Sequence, residues 1–248
     1  HDINYIGLAG ALHTIGDPDR AIPPLNLVGD GGGAMFLVVG VLAALHDRER
    51  SGGTVVNSAI LDGAASLMSP FYELLAIGLW KDRRGENLLD GGAPFYTTYT
   101  TSDGGWMAVG ALEPHFYAAL LGGLELDAAD LPSQHDQAGW PELREIIGAR
   151  FATRTREEWT AVFDGTDACT TPVLALSEAP DHPHNTQRGV FGGPAGHPLP
   201  SPTPRFEDRH AVRLGDNPEP GADSVAILTE LGRGPDEIAA LHESGAPS

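Results

Sequence analysis

Between residues 3 and 80 the sequence offers long apolar helices and only one convincing strand, and that imbalance limits what the chain can build. Ile3 to Ile15 has helical spacing, with Ile3, Ile6, Gly10 and His13 on one side and Asp2 at its start. Ala34 to Asp47 is apolar and helical and ends in the charged Asp47 to Glu49. Ser58 to Trp80 is a third helical stretch, with a bend expected at Pro70. The strand is Thr54 to Val56, after Gly52-Gly53. An apolar helix must bury its stripe against another surface. This part of the chain has no sheet to supply one.

The pattern changes at the polar, Gly-rich stretch Lys81 to Pro94. Phe95 to Thr101 and Trp106 to Gly110 read as strands, joined by the hairpin signal Ser102-Asp103-Gly104-Gly105. Helices are expected over His115 to Leu124, Pro141 to Phe151 and Arg156 to Phe163, and a strand over Cys169 to Leu174. Thr155 with Glu158 three residues on is the pattern of a capping box. Pro194 to Pro220 reads as an extended connector, and short helices over Ala222 to Leu231 and Asp236 to His242 close the chain. The expectation is therefore an α/β protein in three parts. Residues 1–85 are a helical piece of a larger domain, 86–192 a small α/β domain, and 193–248 a connector with helices that return to the larger domain.

Charge and composition exclude several function classes. The formal net charge of -19 argues against nucleic acid and anionic membrane surfaces, which need basic patches. Any phosphate-bearing ligand would need its cations concentrated locally or supplied elsewhere, and the nearest cationic cluster is Lys81 to Arg84. A single cysteine, Cys169, excludes an intrachain disulfide and suits a reducing compartment. No signal peptide is visible, and the charge-free apolar run Ala34 to Leu45 is too short for a bilayer. A cytoplasmic protein without a membrane partner is expected. The ten histidines form no metal-ligand pattern; His182 and His184 sit in a Pro-rich loop without matching partners. Gly29, Gly31 and Ala34 fit a dinucleotide fingerprint, but Asp30 would face the pyrophosphate and the later acids end a helix, not a strand.

Three acid–base residues stand where chemistry could occur. His1 precedes a helix whose first N–H groups are unpaired donors, so a base and an oxyanion support would be adjacent there; it could equally be an exposed terminal histidine. Asp30 lies between an apolar run and an apolar helix, where desolvation would make it a stronger base, or it is an ordinary N-cap. Glu113, between a strand and a helix, is either functional or a first-turn acid held by the helix dipole.

The words around these residues carry a resemblance. His1-Asp2-Ile3-Asn4-Tyr5 resembles the catalytic-histidine segment of α-methylacyl-CoA racemases, and Pro23-Pro24-Leu25-Asn26-Leu27-Val28-Gly29-Asp30 their catalytic-aspartate segment. Leu89-Asp90-Gly91-Gly92-Ala93-Pro94-Phe95-Tyr96 resembles the start of their small domain, and Ala111-Leu112-Glu113-Pro114 the segment whose glutamate supports the histidine. Asp167 to Val173 and Glu237 to Leu241 are also similar to family words. The resemblance implies the family III CoA-transferase fold, an interlocked homodimer, here without the Rossmann-like first part that supplies most contacts to CoA. It implies interconversion of 2-methylacyl-CoA epimers, an isomerase of lipid metabolism. His1, helped by Glu113 of the other subunit, and Asp30 would exchange the α-proton on opposite faces. Asp2, Tyr5 and Asn26 would contact the substrate. No cofactor is implied, because coenzyme A is part of the substrate. The alternatives are a family III CoA-transferase with Asp30 as nucleophile and an inactive remnant that only dimerises.

Overall fold

The computed structural model of the chain describes residues 1–194, 196–207 and 218–245. The chain forms two compact units, His1–Val173 and Leu174–Ser248. The first unit contains two separate hydrophobic cores.

The first core is helical. It is built from α1 (Asp2–Leu8), α2 (Ala11–Thr14), α3 (Ala34–Ser51), α4 (Ile60–Leu67) and α5 (Ser69–Ala76). A two-residue hairpin, β1 (Gly16–Asp17) with β2 (Arg20–Ala21), follows α2, and a π-helical turn, Leu27–Gly33, runs directly into α3. Ile6, Ala9, Ala11, Ala64 and Met68 are buried together, with Val28, Leu61 and Phe71 packed against them. The single helix expected over Ile3 to Ile15 is broken. Gly10 takes a φ of +77°, a left-handed conformation that side chains resist, and α2 restarts in a new direction. The buried stripe of α1 is consequently Asp2, Ile6 and Ala9, while Ile3 and His13 are exposed. The bend expected at Pro70 is present: α4 ends at Leu67 and Pro70 occupies the first turn of α5, where its missing N–H costs nothing.

Thr54 to Val56 forms no strand, and Val55 is 92% exposed. A strand needs a ladder, and among the described residues none lies beside it. The same lack of cover shows in α3, which has no buried residue; Met35, Val39 and Leu42 are each about 60% exposed. The helical run Leu27–Ser51 is long and apolar enough to cross a membrane by length and composition, with a hydropathy of 1.8. The run outlasts the charge-free stretch at both ends: the π turn Leu27–Gly33 precedes it, and the helix continues past Asp47 through Arg48, Glu49 and Arg50, which are good helix formers. Core helices of water-soluble proteins meet the same criterion.

The second core joins a three-stranded antiparallel sheet to three helices. The strands are β3 (Tyr96–Thr100), β4 (Trp106–Gly110) and β5 (Thr170–Pro172), in that order. Tyr96 pairs with Gly110, Thr100 with Trp106, and Val109 with Thr170. The helices α6 (Pro114–Leu124), α7 (Trp140–Phe151) and α8 (Arg156–Phe163) close over Phe95, Met107, Leu120, Leu143, Ile147 and Trp159, all fully buried. Phe151 stacks on Tyr99 at 5.2 Å and meets Trp159 edge-on at 5.3 Å. The Trp159 indole donates to the Phe151 carbonyl at 2.8 Å, and the buried Tyr99 hydroxyl donates to the Pro94 carbonyl at 2.6 Å. Burial pushes the Tyr99 hydroxyl pKa well above its usual range, with the nearby Arg144 charge opposing. The Thr155–Glu158 capping box forms as expected.

The second unit holds α9 (Pro183–Arg188), a short ladder of β6 (Phe191–Gly192) with β7 (Leu199–Pro200), α10 (Ser224–Glu230) and α11 (Pro235–Glu243). The connector expected over Pro194 to Pro220 lies partly outside the described residues.

Candidate active site

His1 is exposed and immediately precedes α1. Asp2, the next residue, is only 8% exposed. Its Oδ1 accepts a hydrogen bond from the Asp30 backbone N–H at 2.8 Å. The first N–H groups of a helix, π-helical or otherwise, have no partner inside it. The Asp30 N–H, near the start of the π turn, finds its acceptor across the gap on Asp2. The segments of two sequence-predicted bases, His1 and Asp30, are therefore fastened together by the residue beside one of them.

Gly29 makes that approach possible. A Cβ there would sit 2.3 Å from Asp2 Oδ1 and 3.1 Å from Ile6 Cγ2. Only a glycine lets the backbone of the turn lie directly on the α1 carboxylate. Neither the Gly29 contact nor the Asp2 side-chain role was read from the sequence. The available signal was a glycine directly before an acid in an otherwise apolar run, which marks close backbone approach but not its target.

The structure corrects one expectation at Asp30. Its side chain is exposed, not desolvated between apolar segments. The backbone face of the turn is the one pressed onto α1, so the carboxylate emerges on the open side, with Asn26 Nδ2 at 3.4 Å from its Oδ2. Tyr5, one turn after His1, is 39% exposed. His1, Asp30, Tyr5 and Asn26 thus have accessible side chains, whereas that of Asp2 is enclosed.

Glu113 belongs to the other core. It is the exposed residue before α6. It lies three residues beyond the end of β4, and its carboxylate and that of Asp167 add to the desolvation that raises the Cys169 thiol pKa. Among the described residues, no hydrogen bond or ion pair joins Glu113 to His1 or Asp30.

The cationic stretch Lys81 to Arg84 is internally occupied. Lys81 and Arg83 reach Glu86 at 3.3 and 3.5 Å, and the Arg84 guanidinium donates to the carbonyls of His13 and Asp17 at 2.7 and 3.0 Å. Beside it, a cavity of about 250 Å³ is lined by His13, Met68, Phe71, Tyr72 and Trp80 among others. No group of three or more potential metal ligands occurs among the described residues.

The sequence profile of CoA-transferase family III matches residues 1–224. The chain belongs to this family. It is 47% identical to the alpha-methylacyl-CoA racemase of Mus musculus and 42% identical to that of Homo sapiens, each over 98% of its length. It spans 65% of the length of both racemases. A CAIB/BAIF family protein from Brucella suis has the same fold, with a TM-score of 0.72 at 21% identity, covering 93% of this chain and 62% of that one. Within the family III fold, the helical core carries the His1 and Asp30 segments and the sheet core carries Glu113.

Proposed function

We propose that this family III chain carries the catalytic residues of a racemase that interconverts the C2 epimers of 2-methyl-branched acyl-CoA thioesters. One observation carries the reading: the hydrogen bond between Asp2 and Asp30 brings a histidine-bearing helix start beside an accessible aspartate. A racemase needs two proton-transferring groups, one for each face of a planar intermediate. A transferase that forms an acyl-aspartyl species needs only one.

In this reading His1 removes the α-proton from one face of the acyl group. The electron pair moves into the thioester carbonyl, giving an enolate whose oxygen is held by the Asp2 N–H. Asp30, in its acid form, returns a proton to the opposite face, and the reverse reaction exchanges the roles. The thioester itself acidifies the α-carbon, so neither a metal nor a redox cofactor is required. Glu113 supports His1 from the second subunit of a homodimer, consistent with its place in a different core. Tyr5 and Asn26 contact the acyl-CoA. The uncovered face of α3 is covered by protein in the assembled enzyme, which works in the cytoplasm.

Incubation of either epimer with the full-length protein in deuterium oxide tests this. Deuterium at C2 together with a drift towards equal epimers is expected. Absence of both, with trapping of an acyl-aspartyl species on Asp30, would replace the racemase with a CoA-transferase.

A further inference from the structure

We propose that the buried Asp2 carboxylate is a positioning residue that sets the distance between the two bases, His1 and Asp30. The inference rests on the two-base reading above and concerns the Asp2 side chain, not its N–H.

Three observations lead to it. First, Asp2 is 8% exposed, and its Oδ2 is buried without a hydrogen-bond partner among the described residues. A carboxylate enclosed with half its acceptors unused is a poor choice for stability. Its neighbours on the buried stripe of α1 are Ile6 and Ala9, and an apolar residue would serve the packing better. Packing alone does not call for an acid there.

Second, among the described residues the carboxylate has one hydrogen-bond partner, and that partner is the Asp30 main chain at 2.8 Å. On one side this hydrogen bond is a single peptide unit from His1; on the other it is on Asp30 itself. Third, the π turn is shaped around the contact. Gly29 lies so close that a Cβ would be 2.3 Å from Asp2 Oδ1 and 3.0 Å from its Cγ. The turn approaches α1 at backbone contact, and the carboxylate acts as the spacer. Two opposed bases need fixed separation across a planar enolate, and displacement by about an ångström costs on the order of 100-fold in rate.

Two measurements on the full-length protein test the proposal. The first is kinetic: deuterium uptake at C2 and epimer interconversion, each from both pure epimers. In Asp2→Ala, interconversion should fall about 100-fold. Uptake from one epimer should fall much less, because one base still removes and returns the proton on its own face. Exchange without inversion is the signature, since simple loss of folded protein lowers both rates together. Asp2→Asn keeps an acceptor oxygen and should recover interconversion to within about tenfold of wild type. Gly29→Ala leaves the carboxylate but pushes the turn away, and should reproduce the Asp2→Ala signature. Interconversion at the wild-type rate in Asp2→Ala overturns the proposal. So does equal loss of exchange and inversion in both Asp2→Asn and Gly29→Ala, which also decide the case if Asp2→Ala does not fold.

The second measurement does not depend on racemase activity. The Asp30 amide should exchange slowly with solvent in wild type and in Asp2→Asn, and rapidly in Asp2→Ala. A fast-exchanging Asp30 amide in wild type overturns the positioning role even if the protein racemises. A protected amide in a protein without racemase activity would instead retain the contact and reject the two-base reading.

Discussion

The Asn87 side-chain amide donates to the Asp90 carboxylate at 2.8 Å, and this pair ties together the loop that leads into the sheet core. Asn87 also donates to the carbonyls of Lys81 and Arg83 and accepts from the Lys81 N–H at 2.7 Å. Asp90 accepts from the N–H groups of Gly85, Asn87 and Gly92 at 2.9 to 3.0 Å. Arg144 of α7 reaches the carbonyls of Gly91 and Gly92 at 2.5 and 2.7 Å. The loop is a fixed link between the two cores of the first unit.

Replacing Asn87 with alanine removes a donor from the Lys81 and Arg83 carbonyls and from the Asp90 carboxylate, and takes the Oδ1 acceptor from the Lys81 N–H. Asn87 is 3% exposed, so water cannot easily replace the amide. A loss of about 2–3 kcal/mol is expected in urea denaturation. A loss below about 0.5 kcal/mol would show that the loop contributes little to stability.

Phe151→Ala removes a fully buried ring that packs on Tyr99, Trp159 and Phe163. The expected cost is about 3–5 kcal/mol, with loss of near-ultraviolet circular dichroism from the sheet core. An unchanged near-ultraviolet spectrum and melting point would contradict the packing.

Acid should weaken the junction of the β3–β4 hairpin with α8. The Asp103 pKa is lowered chiefly by the Thr101 hydroxyl, with the Arg156 and Gly105 N–H groups contributing. That of Glu158 is lowered by the Thr155 N–H and hydroxyl. Both groups have folded pKa values below their ordinary values of 3.8 and 4.5. Their stabilisation is fully present above those values and is lost as the pH falls through the folded ones. Melting temperatures followed from about pH 6 to about pH 3 should fall less steeply in Asp103→Asn and Glu158→Gln than in wild type. Parallel curves would assign the acid sensitivity elsewhere.

For the proposed reaction, His1→Ala and Asp30→Ala should each reduce epimer interconversion by about 10²- to 10⁴-fold, because each is the donor the other requires. Glu113→Gln, which only orients or stabilises the histidine, should cost about 10- to 100-fold. Racemisation at the wild-type rate in Asp30→Ala would eliminate the two-base assignment.

The 248-residue chain alone should bind acetyl-CoA at least about 100-fold more weakly than a protein of the racemases' full length. Its cations at Lys81 to Arg84 are engaged internally, and the exposed apolar surface of α3 favours association or a loose state. Calorimetric titration of both proteins decides; comparable micromolar affinity would place the CoA contacts within this chain.

Much of the sheet core was legible because its signals are local. The hairpin residues at 102–105, the strand-forming runs at 95–101 and 106–110, and the Thr155–Glu158 box each act within a few residues, and each forms. The helical core was less legible. Thr54 to Val56 has strand-like residues, but a strand exists only beside another. The break falls at Gly10, whose left-handed φ of +77° the apolar spacing of Ile3 to Ile15 does not encode.

The sequence by itself determined the identities of His1, Asp30 and Glu113, the helix starts that follow His1 and Glu113, and the family words around them, because residue type and short-range spacing carry that information. Only the tertiary structure decided that Asp2 is enclosed and bonded to the Asp30 N–H and that the Asp30 carboxylate stays exposed. The physical reason is distance along the chain. Asp2 and Asp30 are 28 residues apart, and no local preference links them; the contact exists because Gly29 lets one backbone settle on the other's carboxylate.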